Sequence, residues 1–442
     1  MKLVLAVLAW ALNSAYSEEV LFGNVGGIAG WDLPTAEANK ETLQQTLGLL
    51  EPNDVLVFEE GSQYCFQGGV RATGLSDVVL VVNGVLKMYD DIDSWPLENG
   101  KDGTDPERVQ EAFHFFDFHN VTITSTTGQG TIDGSGLNWW GFPEIGYLVR
   151  KENRPRLMVM DDAVDITIEH MLFKDSAYWT TLFNNVDGLV IRHSEVSARR
   201  PRDNKDNQHS LYDLTAYNTD GFDVTGRNVH IHDCKIWNQD DCIAVKDNIK
   251  GPSENMLFER IEASGMGLVI GSIGDSIVRN ITFRDSIMKN TYKGIYLKFR
   301  DGDSGVIEDI RYENIRIENP SQWPIWIGPA QQAENKTCAI AWPAFGKCEP
   351  APQQFRDILL KNITVANPPR KGLGMNGPML GLIFGSDEKP VDGVVFEDVV
   401  FEGLKGGEEY YKCENVVEGT GVARGKTFPV PGCFKDETDR KE

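Results

Sequence analysis

The sequence has few basic residues for its length and lacks a long apolar run after its first dozen residues. Lys and Arg number 43 against 66 Asp and Glu, which gives a formal net charge of −23. This excess of negative charge argues against nucleic acid as a partner, and a polyanionic glycan would need a local basic strip. No later segment is long enough to span a membrane, so we expect no membrane partner.

The apolar run that does occur is at the N-terminus. MKLVLAVLAWALNSAYS has a basic residue at Lys2, apolar residues from Leu3 to Leu12, and small residues at Ala15 and Ser17. This pattern is typical of a signal peptide, and the run is too short to cross a membrane. We therefore expect residues 1–17 to be removed from a secreted, extracellular protein.

Cysteine is scarce, and its spacing fits no zinc site. Seven cysteines leave at least one thiol unpaired within the chain or paired between molecules. Cys338 with Cys348, and Cys413 with Cys433, are close enough in sequence to close local loops in an oxidising compartment. The competing interpretation, scattered buried thiols instead of disulfides, applies to the other three cysteines, which are Cys65, Cys234 and Cys242.

Four Asn-x-Thr sequons fit passage through a eukaryotic secretory route, although such triplets also arise by chance in strands. We expect glycosylation at these positions, which are Asn120, Asn280, Asn335 and Asn362.

Short strand-like segments recur along the chain. Each copy is an Asx or Gly turn followed by alternating β-branched residues, and copies without long insertions lie some 23 to 29 residues apart. That spacing suits one coil of three short strands and predicts an all-β, right-handed parallel β-helix. An antiparallel sandwich is the alternative, but few Asn-Gly hairpin signals separate the segments. The copies begin HNVTIT, VDITIE, VDGLVI, RNVHIH, RNITFRDS, EDIRYENI, RDILLKNI and VDGVVFEDVVF.

An amphipathic helix precedes the repeats. Residues 31–50 place Pro34 near a helix start and Leu43, Leu47 and Leu50 at helical spacing. Because a solenoid needs an element that covers its open core, we expect this helix to cap the N-terminal end. The predicted organisation is a signal peptide (1–17), one catalytic β-helix domain (18–435) and a charged tail (436–442). A monomer is the default expectation for a capped solenoid.

Residues 217–246, YNTDGFDVTGRNVHIHDCKIWNQDDCIAVK, contain two carboxylate clusters. If the intervening segment is one coil, Asp220 lies one rung, about 4.8 Å, from Asp240. Asp240 and Asp241 can serve one cleft only if the backbone bulges or bends there. Converging carboxylates raise one another's pKa values, so one can stay protonated as an acid, as glycoside hydrolysis requires. Turn or ladder roles for these aspartates are the alternative.

Two long intervals interrupt the repeat. The first is polar and basic, so it could meet an anionic substrate, although a solvated charge run is the commoner meaning. The second is rich in tryptophan, and sugar platforms and loop packing are equally plausible for it. The basic residues are Arg199, Arg200, Arg202 and Lys205, and the tryptophans are Trp323, Trp326 and Trp342.

Several segments together resemble the polygalacturonases of glycoside hydrolase family 28 over most of the mature chain. The resemblance implies a pectin-lyase-like parallel β-helix and inverting hydrolysis that needs no metal ion or other cofactor. It implies Asp240 as the general acid, and Asp220 and Asp241 as the groups that hold and deprotonate water. The segments are GTIDGSGLNWW from Gly130, RPRLMVM from Arg154, DSAYWT from Asp175, NTDGFD from Asn218 and NQDDC from Asn238.

The chain departs from the family at two places. Met266 stands where the family has the His of Gly-His-Gly, and Tyr296-Leu297-Lys298 stands where it has Arg-Ile-Lys. Lys298 remains. Met266 cannot share a proton as a histidine does, and Tyr296 lacks the bidentate fork of an arginine. Tyr296 could instead stack on, or hydrogen-bond to, a neutral or deoxy sugar. The predicted substrate-binding residues are Lys298, Tyr296, Met266, Asn218 and Gln239, with Lys246, Lys293 and Arg300 as possible compensating cations.

Gaps of 20, 26 and 32 residues predict that Asp220, Asp240, Met266 and Lys298 form one column. Three functions then compete. The first is a hydrolase of polygalacturonan, rhamnogalacturonan or xylogalacturonan, and the second is a non-catalytic cell-wall glycan-binding β-helix. The third is a lyase, which would need calcium-binding acids and an Arg or Lys base. Retention of all three carboxylates favours the hydrolase.

Overall fold

The computed structural model describes most of the chain after residue 17. The described residues are 18–98, 107–141, 150, 152–199, 216–300, 302, 304–331, 348, 350–369, 380–404 and 411–436. Of the helices in these ranges, none combines the length and hydropathy of a membrane-crossing segment. Several predictions fall outside them, namely those for residues 1–17, Arg200, Arg202, Lys205, Asn335, Cys338, Trp342 and residues 437–442.

The chain forms two compact units. The first comprises Met1–Pro201, Asp213–Asp223 and Val229–Gln239, and the second comprises Arg202–Tyr212, Val224–Asn228 and Asp240–Glu442. The predicted boundaries of a single catalytic domain stay a prediction.

The first unit begins with the predicted helix, α1 (Leu33–Leu47). Asp32 caps it by accepting a hydrogen bond from the Thr35 amide at 2.8 Å, and Gly48 ends it. Its apolar face is buried, and Asn39 on that face donates to the Cys65 carbonyl at 2.9 Å. The helix therefore packs on the neighbouring strands, as the prediction of a cap requires.

The strands of the first unit form parallel rows, which is the arrangement of successive three-strand coils. One row runs β2, β5, β8, β11, a second runs β3, β6, β9, β12, β14, and a third runs β4, β7, β10, β13. The strands are β1 (Glu19–Leu21), β2 (Val55–Phe58), β3 (Gln63–Phe66), β4 (Val70–Thr73), β5 (Val79–Val82), β6 (Val85–Met88), β7 (Phe113–Phe116), β8 (His119–Thr124), β9 (Thr131–Asp133), β10 (Met158–Asp161), β11 (Val164–Glu169), β12 (Leu172–Lys174), β13 (Thr181–Arg192) and β14 (Glu195–Ser197); 3₁₀ turns occupy Phe22–Val25 and Gly136–Asn138.

The second unit continues in two parallel rows. Short strands form the row β16, β18, β20, β22, β24, β26, and longer strands form the row β17, β19, β21, β23, β25, β27, β28. The strand β15 (Phe222–Trp237) has residues in both units. The others are β16 (Asp241–Val245), β17 (Ser253–Ser264), β18 (Gly267–Ile273), β19 (Ile277–Lys289), β20 (Ile295–Phe299), β21 (Val306–Glu318), β22 (Ile325–Pro329), β23 (Gln354–Ala366), β24 (Gly381–Phe384), β25 (Asp392–Phe401), β26 (Tyr411–Glu414), β27 (Val422–Arg424) and β28 (Lys435–Asp436).

Asparagine ladders fix the register of the second unit. Asn290, Asn319 and Asn367 adopt φ values of 53°, 51° and 52°, a left-handed conformation that asparagine tolerates. Each amide donates to the one before it, at 3.0 Å for Asn319 and 2.9 Å for Asn367. The turn residues that the repeat predicted therefore mark the corners of the coils.

The core of the second unit is built from like side chains stacked coil upon coil. Phe258, Phe283 and Tyr312 stack with ring centroids 4.6 and 4.7 Å apart. The buried Tyr312 hydroxyl donates to the Leu268 carbonyl at 3.1 Å, which satisfies the one polar atom of the stack. All pairings in both rows are parallel, so the prediction of a parallel β-helix is confirmed.

Candidate active site

The adjacent aspartates lie at an irregular start of strand β16. Asp241 pairs with Gly267 and Ile243 with Leu268, so Cys242 is an extra residue on β16. The backbone also bends just before it, where the Asp241 amide donates to Asp240 Oδ1 at 2.8 Å. This bulge confirms the predicted bend and allows two neighbouring carboxylates to serve one place.

Asp241 is a buried carboxylate held by two lysines. Its exposed fraction is 1%, and Lys298 Nζ lies 2.9 Å from Oδ2 and 3.3 Å from Oδ1. Lys246 Nζ lies 3.4 Å from Oδ2. Burial raises the pKa of Asp241, but these two ammonium groups outweigh burial and hold the pKa below its usual range. Asp241 is therefore ionised at neutral pH.

Lys298 is fixed by the same contact. Burial lowers the pKa of Lys298, but the Asp241 carboxylate outweighs burial and raises this pKa above its usual value. The negative charge of Asp240 also acts on Lys298 and on Lys293. Both aspartates therefore face the same basic side chains, although Lys298 lies 57 residues beyond Asp241.

The predicted column is correct from Asp240 to Met266 and wrong at the next step. The Met266 amide donates to the Asp240 carbonyl at 2.6 Å, and the Lys293 amide donates to the Met266 carbonyl at 2.9 Å. Lys293, not Lys298, thus follows Met266 in the next coil. Lys298 lies further along β20, at a register shift between β18 and β20, and reaches Asp241 through its long side chain.

Lys293 is buried without a carboxylate partner among the described residues. Its exposed fraction is 1%, and its Nζ donates to the side-chain oxygens of Gln322 at 2.8 Å and Gln331 at 2.6 Å. Its third neighbour is the weak acceptor Met266 Sδ at 3.9 Å. Burial, followed by the charge of Lys298, lowers the pKa of Lys293 to about 7. A buried cation with neutral acceptors is costly, so its charge changes near neutral pH.

Tyr296 supports these lysines from inside the protein. Its ring centroid lies 4.7 Å from Lys293 Nζ and 4.5 Å from Lys298 Nζ. Its hydroxyl accepts a hydrogen bond from the Gln331 amide at 3.0 Å, and its ring packs edge-on against Trp326. Tyr296 is buried, so stacking on a sugar would require these contacts to change. Its observed contacts assign it to positioning the two ammonium groups.

The described tryptophans of the second long interval also pack inside. Trp323 and Trp326 are buried with ring centroids 5.5 Å apart, and Trp326 Nε1 donates to the Pro329 carbonyl at 2.9 Å. Between the two alternatives for these residues, the structure favours packing over sugar platforms.

In the first unit, Asn218 is a half-buried turn residue, and the buried Asp220 follows the turn. The Asp220 carbonyl accepts from the Thr180 amide at 2.7 Å. The Gln239 side-chain oxygen accepts from the Ala216 amide at 2.8 Å, and the Gln239 backbone N–H donates to Thr219 Oγ1 at 3.1 Å. Gln239 therefore shapes the turn that carries Asn218 and Asp220. The proposed contacts of Asn218 and Gln239 with substrate stay predictions.

Asp220 faces an aromatic neighbour in its own unit. Burial, together with the negative charges of Glu152 and Asp220, raises the pKa of the Tyr178 hydroxyl well above its usual value. The Tyr178 ring in turn lies 4.8 Å from the Arg154 guanidinium. The alignment of Asp220 with Asp240 stays a prediction.

Two buried arginines hold this turn. Arg154 donates to the carbonyls of Ala177 at 2.5 Å and Tyr217 at 2.7 Å. Arg199 donates to the Asn238 carbonyl at 2.9 Å and has an exposed fraction of 2%. This burial excludes the commoner of the two meanings, a solvated charge, for Arg199, and its contact with an anionic substrate stays a prediction. Sequence reasoning missed both roles, although Arg154 stands in one of the family-like segments.

The other predicted site residues are cysteines and sequon asparagines. Cys413 and Cys433 form a disulfide. Burial raises the pKa of Cys65 and Cys234 to about 12, so these thiols are unreactive at neutral pH. The described sequon residues are exposed strand residues with positive φ values: Asn120, Asn280 and Asn362.

A metal ion would have to compete with lysine at this place. Asp240 and Asp241 are among the described acidic side chains that could hold a cation. Lys298 and Lys246 already neutralise Asp241 through direct ion pairs. A cation bound there would lie beside two ammonium groups, so the donor set fits a metal poorly. That the reaction needs no metal stays a prediction.

Comparisons with known proteins point to one enzyme family. A family model for glycosyl hydrolases family 28 matches residues 99–422. An endopolygalacturonase of Emericella nidulans is 27% identical over 304 residues, 67% of this chain and 70% of that protein. An exopolygalacturonase of Cochliobolus carbonum is 24% identical over 381 residues, 81% and 77% of the two chains. The crystal structure of an endo-xylogalacturonan hydrolase from Aspergillus tubingensis shares the fold, with a TM-score of 0.68 and 20% identity over 92% of this chain and 99% of that one.

Proposed function

Because the chain belongs to glycosyl hydrolases family 28, we propose that it cleaves pectic polysaccharide by inverting hydrolysis at Asp240, Asp241 and Asp220. Family membership makes it a glycoside hydrolase of the polygalacturonase type. The roles of the individual residues and the identity of the glycan go beyond that membership.

The observation that carries the mechanism is the unequal environment of two adjacent carboxylates. Asp241 is ionised because Lys298 and Lys246 hold it. Two adjacent carboxylates can divide the roles of proton donor and base, and because Asp241 is held ionised, the proton-donating role is assigned to Asp240. In the proposed step Asp240 gives its proton to the glycosidic oxygen as the bond to the leaving sugar breaks.

Water supplies the other half of the reaction. Asp241 and Asp220 are proposed to hold a water molecule on the opposite face of the sugar ring and to take its proton as it attacks. The C–O bond forms on that face, so the configuration inverts. Atoms balance without a cofactor. Asp240 gives one proton to the leaving sugar, the sugar carbon takes the hydroxyl of water, and the carboxylates Asp241 and Asp220 take the remaining proton.

The lysines and Tyr296 bear on which pectic glycan the cleavage site binds. Lys298 and Lys246 are committed to Asp241, and Tyr296 replaces a basic residue of the family motif with a buried aromatic ring. Polygalacturonan, rhamnogalacturonan and xylogalacturonan all remain within the proposed substrate range. The similarity to both an endo- and an exo-acting enzyme leaves either mode of cleavage open.

Secretion is part of the proposal. The N-terminal pattern of residues 1–17 and the Cys413–Cys433 disulfide support an oxidising, extracellular setting. N-terminal sequencing of protein recovered from the medium of expressing cells should begin near residue 18. Retention of Met1 in secreted protein would contradict the signal peptide.

The decisive experiment measures reducing ends released from the three pectic substrates. Asp240→Asn should abolish release, because the amide cannot donate the proton as an acid does. Asp285→Asn is the matched control: Asp285 is a partly exposed ladder residue with φ 52°, which asparagine tolerates, and it should keep full activity. Binding of all three glycans without release of reducing ends would favour the non-catalytic glycan-binding alternative. An unsaturated, ultraviolet-absorbing product would indicate a lyase instead.

A further inference from the structure

A cluster of four histidines lies in the first unit, formed by His170, His193, His230 and His232. His170 and His193 are stacked, with ring centroids 5.2 Å apart. His232 meets His193 edge to face at 5.9 Å, and its ring centroid lies 4.3 Å from that of His230. The chain has seven histidines in all, so more than half of them lie in this histidine cluster, and the proposed hydrolysis uses none of them.

Strand alternation and the stacking of coils bring these side chains together. His230 and His232 are two residues apart in β15, so both side chains lie on the same face of the strand. The Lys235 amide donates to the Ser194 carbonyl at 3.1 Å, which places the previous coil beside this segment. The residue before Ser194 is His193. Two neighbouring coils therefore contribute imidazoles to one place.

The spacing of the rings suits ligands of one metal ion. A zinc ion lies about 2.0 to 2.1 Å from a histidine nitrogen, so it lies about 3.2 Å from the ring centroid, and two rings on one tetrahedral ion have centroids about 5.2 Å apart. The two distances around His232, 4.3 and 5.9 Å, lie on either side of this value and within about 1 Å of it. His193 is the farther ligand, and because its side chain is exposed, it can rotate toward an ion with little loss of packing.

His232 is oriented as a metal ligand. Its Nδ1 lies 2.6 Å from Asp233 Oδ2. An ionised carboxylate has no proton to give, so Nδ1 donates this hydrogen bond, and Nε2 of the neutral ring keeps its lone pair. A carboxylate that fixes the tautomer in this way is the usual outer partner of a metal-binding histidine.

The surroundings of the histidine cluster also allow a cation to bind. All four rings are exposed or half-buried, so an ion can reach them from solvent. The nearest basic side chain in the sequence, Arg192, has its Nε 2.7 Å from Glu169 Oε2, so its charge is already compensated. The formal net charge of −23 attracts cations to the protein as a whole.

We propose that His230 and His232, with His193 as the third ligand, bind a divalent metal ion of the zinc, copper and nickel class. Imidazole suits these ions, whereas calcium and magnesium prefer oxygen ligands. The ion joins two successive coils, because His193 precedes β14 and the other two ligands belong to β15. The site takes no part in the proposed hydrolysis, so it stands or falls independently of that function.

Calorimetry with Zn²⁺ as the probe tests this site in the full-length protein, after treatment with a chelator and without an affinity tag. One Zn²⁺ should bind per chain at neutral pH. Asp233→Asn keeps the ligands but removes the orienting carboxylate, and should weaken Zn²⁺ binding about tenfold or more. Asparagine tolerates the φ of 55° at this position, so the backbone is preserved. His232→Gln removes a ligand and should weaken Zn²⁺ binding by more than Asp233→Asn does.

His119→Gln is the matched control, because His119 also lies beside a carboxylate in the first unit, with Nε2 3.0 Å from Asp117 Oδ1, but is outside the histidine cluster. This variant should bind Zn²⁺ as tightly as wild type. Zn²⁺ should raise the melting temperature of wild type and of His119→Gln, and that of His232→Gln much less.

Melting temperatures in chelator show whether each variant is folded, and Asp233→Asn decides if His232→Gln does not fold. Equal Zn²⁺ affinity in wild type and in the folded His232 and Asp233 variants would overturn the site. A wild type that binds no Zn²⁺, or a His119→Gln that loses binding as fully as His232→Gln, would also overturn it.

Discussion

Replacing Lys298 by methionine should separate the buried ion pair from ordinary surface charge. Lys298 makes two contacts with Asp241, at 2.9 and 3.3 Å, and both side chains are nearly inaccessible to solvent. Breaking a buried pair by removing one partner costs about 3 to 5 kcal/mol, since the other charge stays buried. Lys246 remains 3.4 Å from Asp241 and offsets part of this. We therefore expect a loss near the lower limit, about 3 kcal/mol, in urea unfolding at pH 7.

The contribution of the Asp241–Lys298 pair to stability should depend on pH. The pKa of Asp241 is lowered in the folded protein, so its ionisation contributes stability that is present above its usual value, 3.8, and lost as the pH falls through the folded-state value. Without Lys298 the pKa of Asp241 should rise, because burial then meets only one ammonium group. The stability difference between wild type and variant should shrink in acid, and the acidic limb of the activity profile should move to higher pH.

A matched control makes the comparison strict. Lys289 forms an ion pair with Glu262 at 3.0 Å in the same unit, with side chains 34% and 32% exposed. Lys289→Met should cost less than about 1 kcal/mol, as exposed pairs do. If Lys298→Met and Lys289→Met cost the same, the argument from burial is refuted.

Three further substitutions test other parts of the structure. The pKa of Lys293 is lowered from 10.5 to about 7, so between these two pH values the unfolded chain binds more protons than the folded one. The melting temperature of wild type should therefore rise relative to that of Lys293→Met as the pH rises. A difference in melting temperature that stays constant with pH would contradict this. Asn319→Ala removes a rung that donates and accepts at φ 51°, and should cost about 2 kcal/mol in urea unfolding, whereas Asn319→Gly should cost less; equal costs would argue against backbone strain. Replacing Cys413 and Cys433 by alanine opens a loop with a sequence separation of 20 and should cost about 3 kcal/mol by thermal unfolding. Because Cys348 is also disulfide-bonded, a reductant should lower the melting temperature of wild type by more than that of the variant.

The sequence predicts those features that a local pattern repeats. Asx residues at coil spacing mark positive φ positions, and the adjacent Asp240 and Asp241 require a bulge if they serve one cleft. The capping helix is likewise encoded within its own residues, by Asp32 and the apolar spacing that follows. Each of these depends on interactions of a few neighbouring residues with one another.

Features that depend on packing between coils are not visible in the sequence. The column was wrong at Lys298 because one coil brings Met266 to Lys293, so the interval of 32 residues from Met266 to Lys298 is longer than one coil. The burial of Lys293 and the use of Arg199 to hold a backbone carbonyl depend on the direction of long side chains. A charged residue in a polar segment is usually predicted to lie at the surface. No local signal distinguishes an arginine that binds a backbone carbonyl from one that is exposed to solvent.

The ladder register also separates what the fold must keep from what it can change. β22 ends at Pro329 and β23 begins at Gln354, yet β21 and β23 still pair residue for residue from Val306 to Glu318. Because each coil is indexed to its neighbour, the chain can lengthen between strands without moving Asp241 or Lys298. Segments between the strands are therefore free to diverge in length while the paired residues of the coils keep their register.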